Sequence, residues 1–185
     1  MIEDDVRTRL QQAALDLFEA DGFDGTTAAA IAAQAGVTER TFFRHFADKR
    51  EVLFDGEAVL RAALAAAIAA VPADVGPLDV LFRAVRSVVP AIEANRQFAK
   101  PRYAVIAATP ALHERELAKI AALTATLAAI LRARGVAALR AELAAQAGMA
   151  AFSQATMAWL DDPTGGLGQR LDQAFAALKE LLTTG

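Results

Sequence analysis

A chain of 185 residues with a net charge of -3, 55% hydrophobic residues and no cysteine leaves room for one large domain or two small ones, and excludes disulfide and thiolate chemistry. Its opening, MIEDDVRTRL, sets acids where a secretory signal needs a basic start and an apolar core. The Ala-rich apolar stretches are broken by charge well before the roughly 18 residues of a membrane span, so a soluble, cytoplasmic chain with no membrane partner is expected.

Period-two alternation of β-branched residues is missing, whereas helical spacing recurs throughout. Val6, Leu10, Ala13, Ala14, Leu17 and Phe18 recur at threes and fours, predicting a first helix that ends near Asp21-Gly22. Thr26 or Thr27 then caps a short helix in TTAAAIAAQAG, closed by Gly36. Thr38 caps a third. Asp48 reads as the cap of a longer fourth helix running through Leu53, Val59, Leu60, Leu64 and Ile68 toward Pro72. The segment VPADVGP then breaks a small N-terminal unit from the rest. Five further helices are predicted at 77–94, 97–108, 110–134, 138–160 and 166–182, punctuated by Asn95, Thr109-Pro110, Arg134-Gly135 and the run DDPTGGLG. The fold class is all-α, with about nine helices.

The third helix carries the strongest functional signal. With Thr38 at the N-cap, Val37 precedes the cap and Phe42 is the fourth helical residue, the spacing of a hydrophobic staple. Phe42 and Phe46 share one face, with Leu17, Phe18 and Ile31 available to pack beneath them. The opposite face presents Glu39, Arg40, Phe43 and Arg44, flanked by Thr41 and His45. Residues 1–55 hold 11 acids and 6 bases, yet within 38–50 four bases, Arg40, Arg44, Lys49 and Arg50, face only Glu39 and Asp48. So short a helix is unstable alone. A helix–turn–helix gives it a purpose: one helix supports, the turn Ala35-Gly36-Val37 redirects the chain, and the next helix enters a major groove.

The run TTAAAIAAQAGVTERTFFRHFADKREVL resembles the N-terminal DNA-binding domain of the TetR family of one-component transcriptional repressors. Thr26-Thr27, Ile31-Ala32, Ala35-Gly36-Val37-Thr38, Phe43-Arg44-His45-Phe46 and Lys49 fall in the family's register, and the likeness covers about residues 7–55. It implies a helix–turn–helix domain over 1–55 and a larger helical ligand-binding and dimerisation domain over 56–185. It implies DNA contacts by Thr27, Thr38, Arg40, Thr41, Phe43, Arg44, His45 and Lys49. Of these, Thr27, His45 and Lys49 are assigned to backbone phosphates, and Arg40, Thr41 and Arg44 to base edges or nearby phosphates. Many members carry Tyr where this chain has Phe43, which lacks the hydroxyl for a phosphate but can pack on sugar or a thymine methyl. The partner is then a near-palindromic double-stranded DNA operator, gripped by a homodimer and released by a small-molecule effector.

The remaining residues say less. The last two helices carry a small-residue stripe with large ends (Leu139, Leu143, Ala147, Ala150, Ala151, Met157) and a bulky one (Leu167, Leu171, Phe175, Leu178, Leu182), which in this family pair with their copies. A basic cluster, Arg83, Arg86, Arg96, Lys100 and Arg102, faces Glu93 alone. With Phe82, Phe98 and Tyr103 among the candidate lining residues, Phe82, Arg86, Arg96, Phe98, Arg102 and Tyr103 would receive an anionic amphiphile such as an acyl-coenzyme A. The run TGGLG lacks the Lys-Ser/Thr of a phosphate loop and reads as a connection into the last helix. His45 and His113 are the only histidines, and no catalytic trio, metal spacing or cofactor motif can be assembled. An enzyme is therefore not expected. The rival readings are an enzyme on a helical scaffold and a protein-interaction module without DNA binding; the acidic Glu3-Asp4-Asp5 start, which repels phosphate, favours the second.

Overall fold

The computed structural model describes the backbone of residues 2–183 and the side chains of 5–181. The side chains of Glu3, Asp4 and Leu182 lie outside the described residues. Among those described there are helices and no strands: α1 (Ile2–Gly25), α2 (Ala28–Gln34), α3 (Glu39–His45), α4 (Glu57–Ala70), α5 (Pro77–Ala94), α6 (Arg96–Ala108), α7 (Pro110–Ala133), α8 (Ala138–Asp161) and α9 (Gly166–Thr183). From α5 onward the expected boundaries hold to within a residue. Pro77 opens α5 behind Gly76, as suits a residue whose missing N–H is unneeded in a first turn.

The chain divides into two compact units. The first joins Met1–Glu57 to Gln97–Leu117; the second joins Ala58–Arg96 to Ala118–Gly185.

In the first unit, α1 leaves helical geometry at Gly22 (φ 75°). Thr26, buried, directs its hydroxyl at the carbonyls of Gly22 at 2.9 Å and Leu17 at 3.2 Å, which ties the residue before the α2 cap to the end of α1. Leu10, Ala14 and Phe18 of α1, Ile31 of α2 and Phe42 of α3 form one core with Phe46, Ile106 of α6 and Leu112 of α7.

With Asp48 as the cap the fourth helix would begin at residue 49, and it begins eight residues later, at Glu57. Residues 49–56 form successive turns. Asp48 does cap, accepting from the backbone N–H of Arg50 at 2.7 Å and Glu51 at 3.2 Å. The bonds that follow are short-range: Leu53 N–H to Arg50 carbonyl, and Phe54 N–H to Glu51 carbonyl. Val52, Leu53 and Phe54 are all buried, and an α-helix would spread three consecutive side chains around its axis. Asp55 is held by Arg7 Nε at 2.6 Å and Gln11 Nε2 at 3.0 Å. Gly56 then turns at φ 87°, a conformation costly for any residue with a Cβ.

In the second unit α8 packs on α9 and α5. Leu167, Leu171 and Phe175 of α9 are at most 2% exposed, so most of the bulky stripe fills the core of its own unit. By contrast α8 exposes Leu139, Leu143 and Met157 at 71%, 57% and 44%. The TGGLG run starts α9 and carries a carboxylate: Glu93 accepts from the N–H of Leu167 at 2.6 Å and Gly168 at 3.3 Å, where the helix leaves donors unpaired. No described helix is long and apolar enough to cross a membrane.

Candidate nucleic-acid interface

Two caps and one glycine build the surface that α2 and α3 present. Thr27 is extended (φ -114°, ψ 157°) and its hydroxyl accepts from Ala30 N–H at 3.1 Å. At the other end of α2, Gly36 turns at φ 69°, and Val37 N–H closes back on the Ala32 carbonyl at 2.9 Å. That positive φ falls to glycine because a side chain would strain it. Thr38 restarts the chain, its hydroxyl accepting from Thr41 N–H at 3.2 Å and lying 3.0 Å from the Thr41 hydroxyl. Helix α3 ends when Phe46 returns to extended backbone (φ -135°).

The inner face of α3 is fixed by aromatic packing. Phe42 is fully buried, edge-on to Phe43 at 5.3 Å and tilted against Phe46 at 5.7 Å. Arg7 lies over the Phe46 ring at 4.9 Å. The outer face stays open: Glu39, Arg40, Phe43 and Arg44 are exposed, with Phe43 at 51%. Neither Arg40 nor Arg44 has a hydrogen-bond or ion-pair partner among the described residues. Arg50, by contrast, is paired with Asp48; its guanidinium holds the Asp48 carboxyl below the ordinary carboxylate range.

Thr27, Thr38, Arg40, Thr41, Phe43 and Arg44 thus lie on or beside the two caps and the outer face of α3. His45 is half-buried, its Nε2 without a hydrogen-bond partner among the described residues. Lys49 has its ammonium directed at the chain: Nζ donates to the carbonyls of Phe23 at 2.6 Å and Thr26 at 2.9 Å, lies 3.5 Å from that of Asp24, and sits 4.3 Å from the centroid of the Phe23 ring.

The chain beyond 55 matches on a longer stretch than the helix–turn–helix does. The model for the MftR C-terminal domain covers residues 75–183, and that for bacterial regulatory proteins of the tetR family covers residues 10–55. This chain belongs to the TetR family of transcriptional regulators. The family is one of regulators and not of enzymes. Over 83 residues this TetR-family chain is 41% identical to the HTH-type transcriptional regulator TcmR of Streptomyces glaucescens. That match takes in 45% of this chain and only 37% of TcmR. Among solved structures, it is 26% identical to a transcriptional regulator from Rhodococcus sp. Rha1, with a TM-score of 0.55 over 94% of this chain and 96% of the other. It is also 26% identical to Thermus thermophilus FadR, a TetR-family repressor solved in complex with lauroyl-CoA, with a TM-score of 0.56 over 94% and 93%. A regulator from Pseudomonas aeruginosa PAO1 shares the fold at a TM-score of 0.66 and 21% identity, over 97% and 90%.

The six residues expected around an effector divide evenly between the two units. In the second, Phe82 packs on Phe175 at 5.0 Å, Arg86 pairs with Asp172 at 3.3 Å, and Arg96 donates to the Leu160 carbonyl at 3.3 Å with Trp159 beneath it. In the first, Phe98 packs against the head core. Arg102 donates to the Leu53 carbonyl and to Glu116, and lies 5.5 Å from the Phe54 ring and 5.1 Å from that of Tyr103. Burial pushes the Tyr103 phenol above its usual range. Sequence reasoning gave no role to Arg115, which pairs with Glu51 and also covers the Phe54 ring; no local pattern marks a partner so far along the chain.

Proposed function

We propose that this TetR-family regulator grips a near-palindromic duplex operator as a homodimer, represses transcription from it, and lets go when a small molecule binds its larger domain. The observation that carries the reading is the open face of α3, where Arg40 and Arg44 project without partners among the described residues beside exposed Phe43. Guanidinium to guanine is the commonest specific base contact, and an exposed aromatic suits a thymine methyl or sugar. Thr27, Thr38, Thr41 and His45 supply further donors around that face. One such head reads half a site, so a two-fold dimer is needed to read a palindrome. The exposed Leu139, Leu143 and Met157 of α8 support dimerisation through the last two helices. Residues 1–55 act as the reading domain and 56–185 as the receiving and dimerising one, in the cytoplasm where the operator is.

The effector is an anionic amphiphile of the acyl-coenzyme A kind. Support comes from the lauroyl-CoA complex of the Thermus relative and from Arg86, Arg96 and Arg102 near Phe82, Phe98 and Tyr103 in sequence. Each of these arginines already has a partner, so the ligand head must outcompete it. The ligand must also bind the DNA-competent and released states unequally, or it shifts nothing.

Selection of duplexes from a random pool tests the central claim. An enriched near-palindrome is expected, bound with an affinity that falls steeply with salt as phosphate counterions are released. A pool that yields no enriched site removes the reading. Release of that duplex by fatty acids or acyl-coenzyme A esters, set against neutral hydrophobic compounds, tests the effector class.

A further inference from the structure

The sequence offers Lys49 as one more cation for a DNA phosphate, and the structure gives its ammonium other work. An ammonium has three N–H donors. Two meet the carbonyls of Phe23 and Thr26 at ordinary hydrogen-bond lengths, and Asp24 provides a third, longer neighbour at 3.5 Å. The Phe23 ring lies 4.3 Å below, close enough for a cation–π attraction. Phe23 and Asp24 belong to the last residues of α1, beyond its break at Gly22, and Thr26 to the connection that leads into α2. Thr26 itself is buried and bound to Gly22 and Leu17, and the next residue is Thr27, the cap that starts α2.

We infer that Lys49 is a positioning residue of the reading head: it ties the segment after α3 back to the end of α1 and the connection into α2, and so fixes Thr27 relative to α3. The inference deepens the operator-binding reading and rests on it. A lysine used this way adds little to counterion release, because reaching a phosphate requires it to abandon carbonyls that would then be left unpaired. Its loss should disturb how Thr27 is presented and leave the number of neutralised phosphates unchanged.

Full-length Lys49→Met keeps the stem and removes the ammonium. Binding to the selected duplex and to random-sequence duplex is measured across a salt series. The expected result is a loss of about tenfold for the selected duplex, the scale of a lost hydrogen bond to a charged group, with the slope of log affinity against log salt unchanged. In the same background Thr27→Ala should cost much less than it does in the wild type, because the two residues act together. Amide hydrogen exchange without DNA gives an independent readout: Thr27 to Ile31 should exchange faster in Lys49→Met. Lys49→Gln, which keeps two donors and drops the charge, serves if Lys49→Met does not fold, and must show the same unchanged slope. A slope shallower by about 0.9, the value of one phosphate, overturns the inference, as does unchanged exchange in the variants. If the wild type binds no duplex, the operator reading fails by that result alone, and exchange still decides whether the tether exists.

Discussion

Arg40 and Arg44 on α3 and Arg86, Arg96 and Arg102 in the basic stretch 83–102 are the same residue type in similarly basic surroundings, with opposite fates. The first two project without partners among the described residues. The other three are each engaged: Arg86 by Asp172, Arg96 by the Leu160 carbonyl, Arg102 by Glu116 and the Leu53 carbonyl. The acceptors for Arg96 and Arg102 stand 64, 49 and 14 residues away. What separates the groups is whether packing carries an acceptor to the cation. Helix α3 is short, and its inner face is wholly committed to Phe42 and the residues below it, so its outer cations meet solvent. A cation left unpaired on a rigid surface remains available to another molecule; one hydrogen-bonded inside its own unit contributes mainly to holding that unit together.

The contrast breaks most completely if the anchor beneath α3 is removed. Phe42→Ala leaves a cavity in the head core and should destabilise it by about 3–5 kcal/mol. Phe43→Ala, the neighbouring but half-exposed ring, should stay within about 0.5 kcal/mol of wild type. Denaturant unfolding of both variants checks this, and similar losses from the two would mean that α3 is not held by its inner face.

Exchanging the roles of the two cation groups sharpens the comparison. Arg44→Ala should leave stability within about 0.5 kcal/mol and cost about 1–3 kcal/mol of affinity for the selected duplex, with preference relaxed at one base pair. Uniform weakening over all sequences would place Arg44 at a phosphate. Glu116→Gln should do the reverse. Its side chain is 13% exposed and that of Arg102 24%, so depriving this guanidinium of its carboxylate should lower stability by about 1–2 kcal/mol while duplex affinity stays as it was. Melting and binding measured on both variants should give opposite pairs of results.

The same distinction separates what the sequence makes legible from what it does not. Caps and turn glycines act within a few residues, which is why Gly36 and Thr38 could be read directly and the cap of α2 narrowed to Thr26 or Thr27, of which the structure uses Thr27. The staple of Phe42 was legible for the same reason. The turns at 49–56 were not: Asp48 does cap as expected, but the next residues are drawn off the helix by burial of Val52, Leu53 and Phe54 together and by Arg7 and Gln11 gripping Asp55. The stripe on α9 illustrates another limit. Periodicity shows that Leu167, Leu171 and Phe175 face something apolar, and only packing shows that α5 and α8 already supply it. The carbonyls around Lys49 and the carboxylate beside Arg102 depend on tertiary approach and leave no mark on local spacing.

Asp48 provides the smallest test, because it pairs with a cation only two residues away. Its carboxyl is held below the ordinary value of 3.8, first by the hydrogen bond from the Arg50 side chain and then by the backbone N–H groups of Arg50 and Glu51, which together outweigh the opposing effect of burial. A group depressed in the folded state contributes stability that is complete above its unfolded value and disappears as pH falls through the folded one. Asp48→Asn retains an oxygen for the two amides and loses the charge. It should be less stable than wild type by under about 1 kcal/mol at neutral pH, the usual scale of an exposed pair. The gap should close as pH falls below 3.8 and the wild-type carboxylate is protonated. A gap that persists into strong acid would mean that cap geometry, not charge, sets the contribution. The same variant releases Arg50 from its pairing and places it with Arg40 and Arg44. Duplex affinity should then rise and the salt slope steepen by at most about 0.9; an unaltered slope would show that a cation freed beyond α3 lies out of reach of the phosphates.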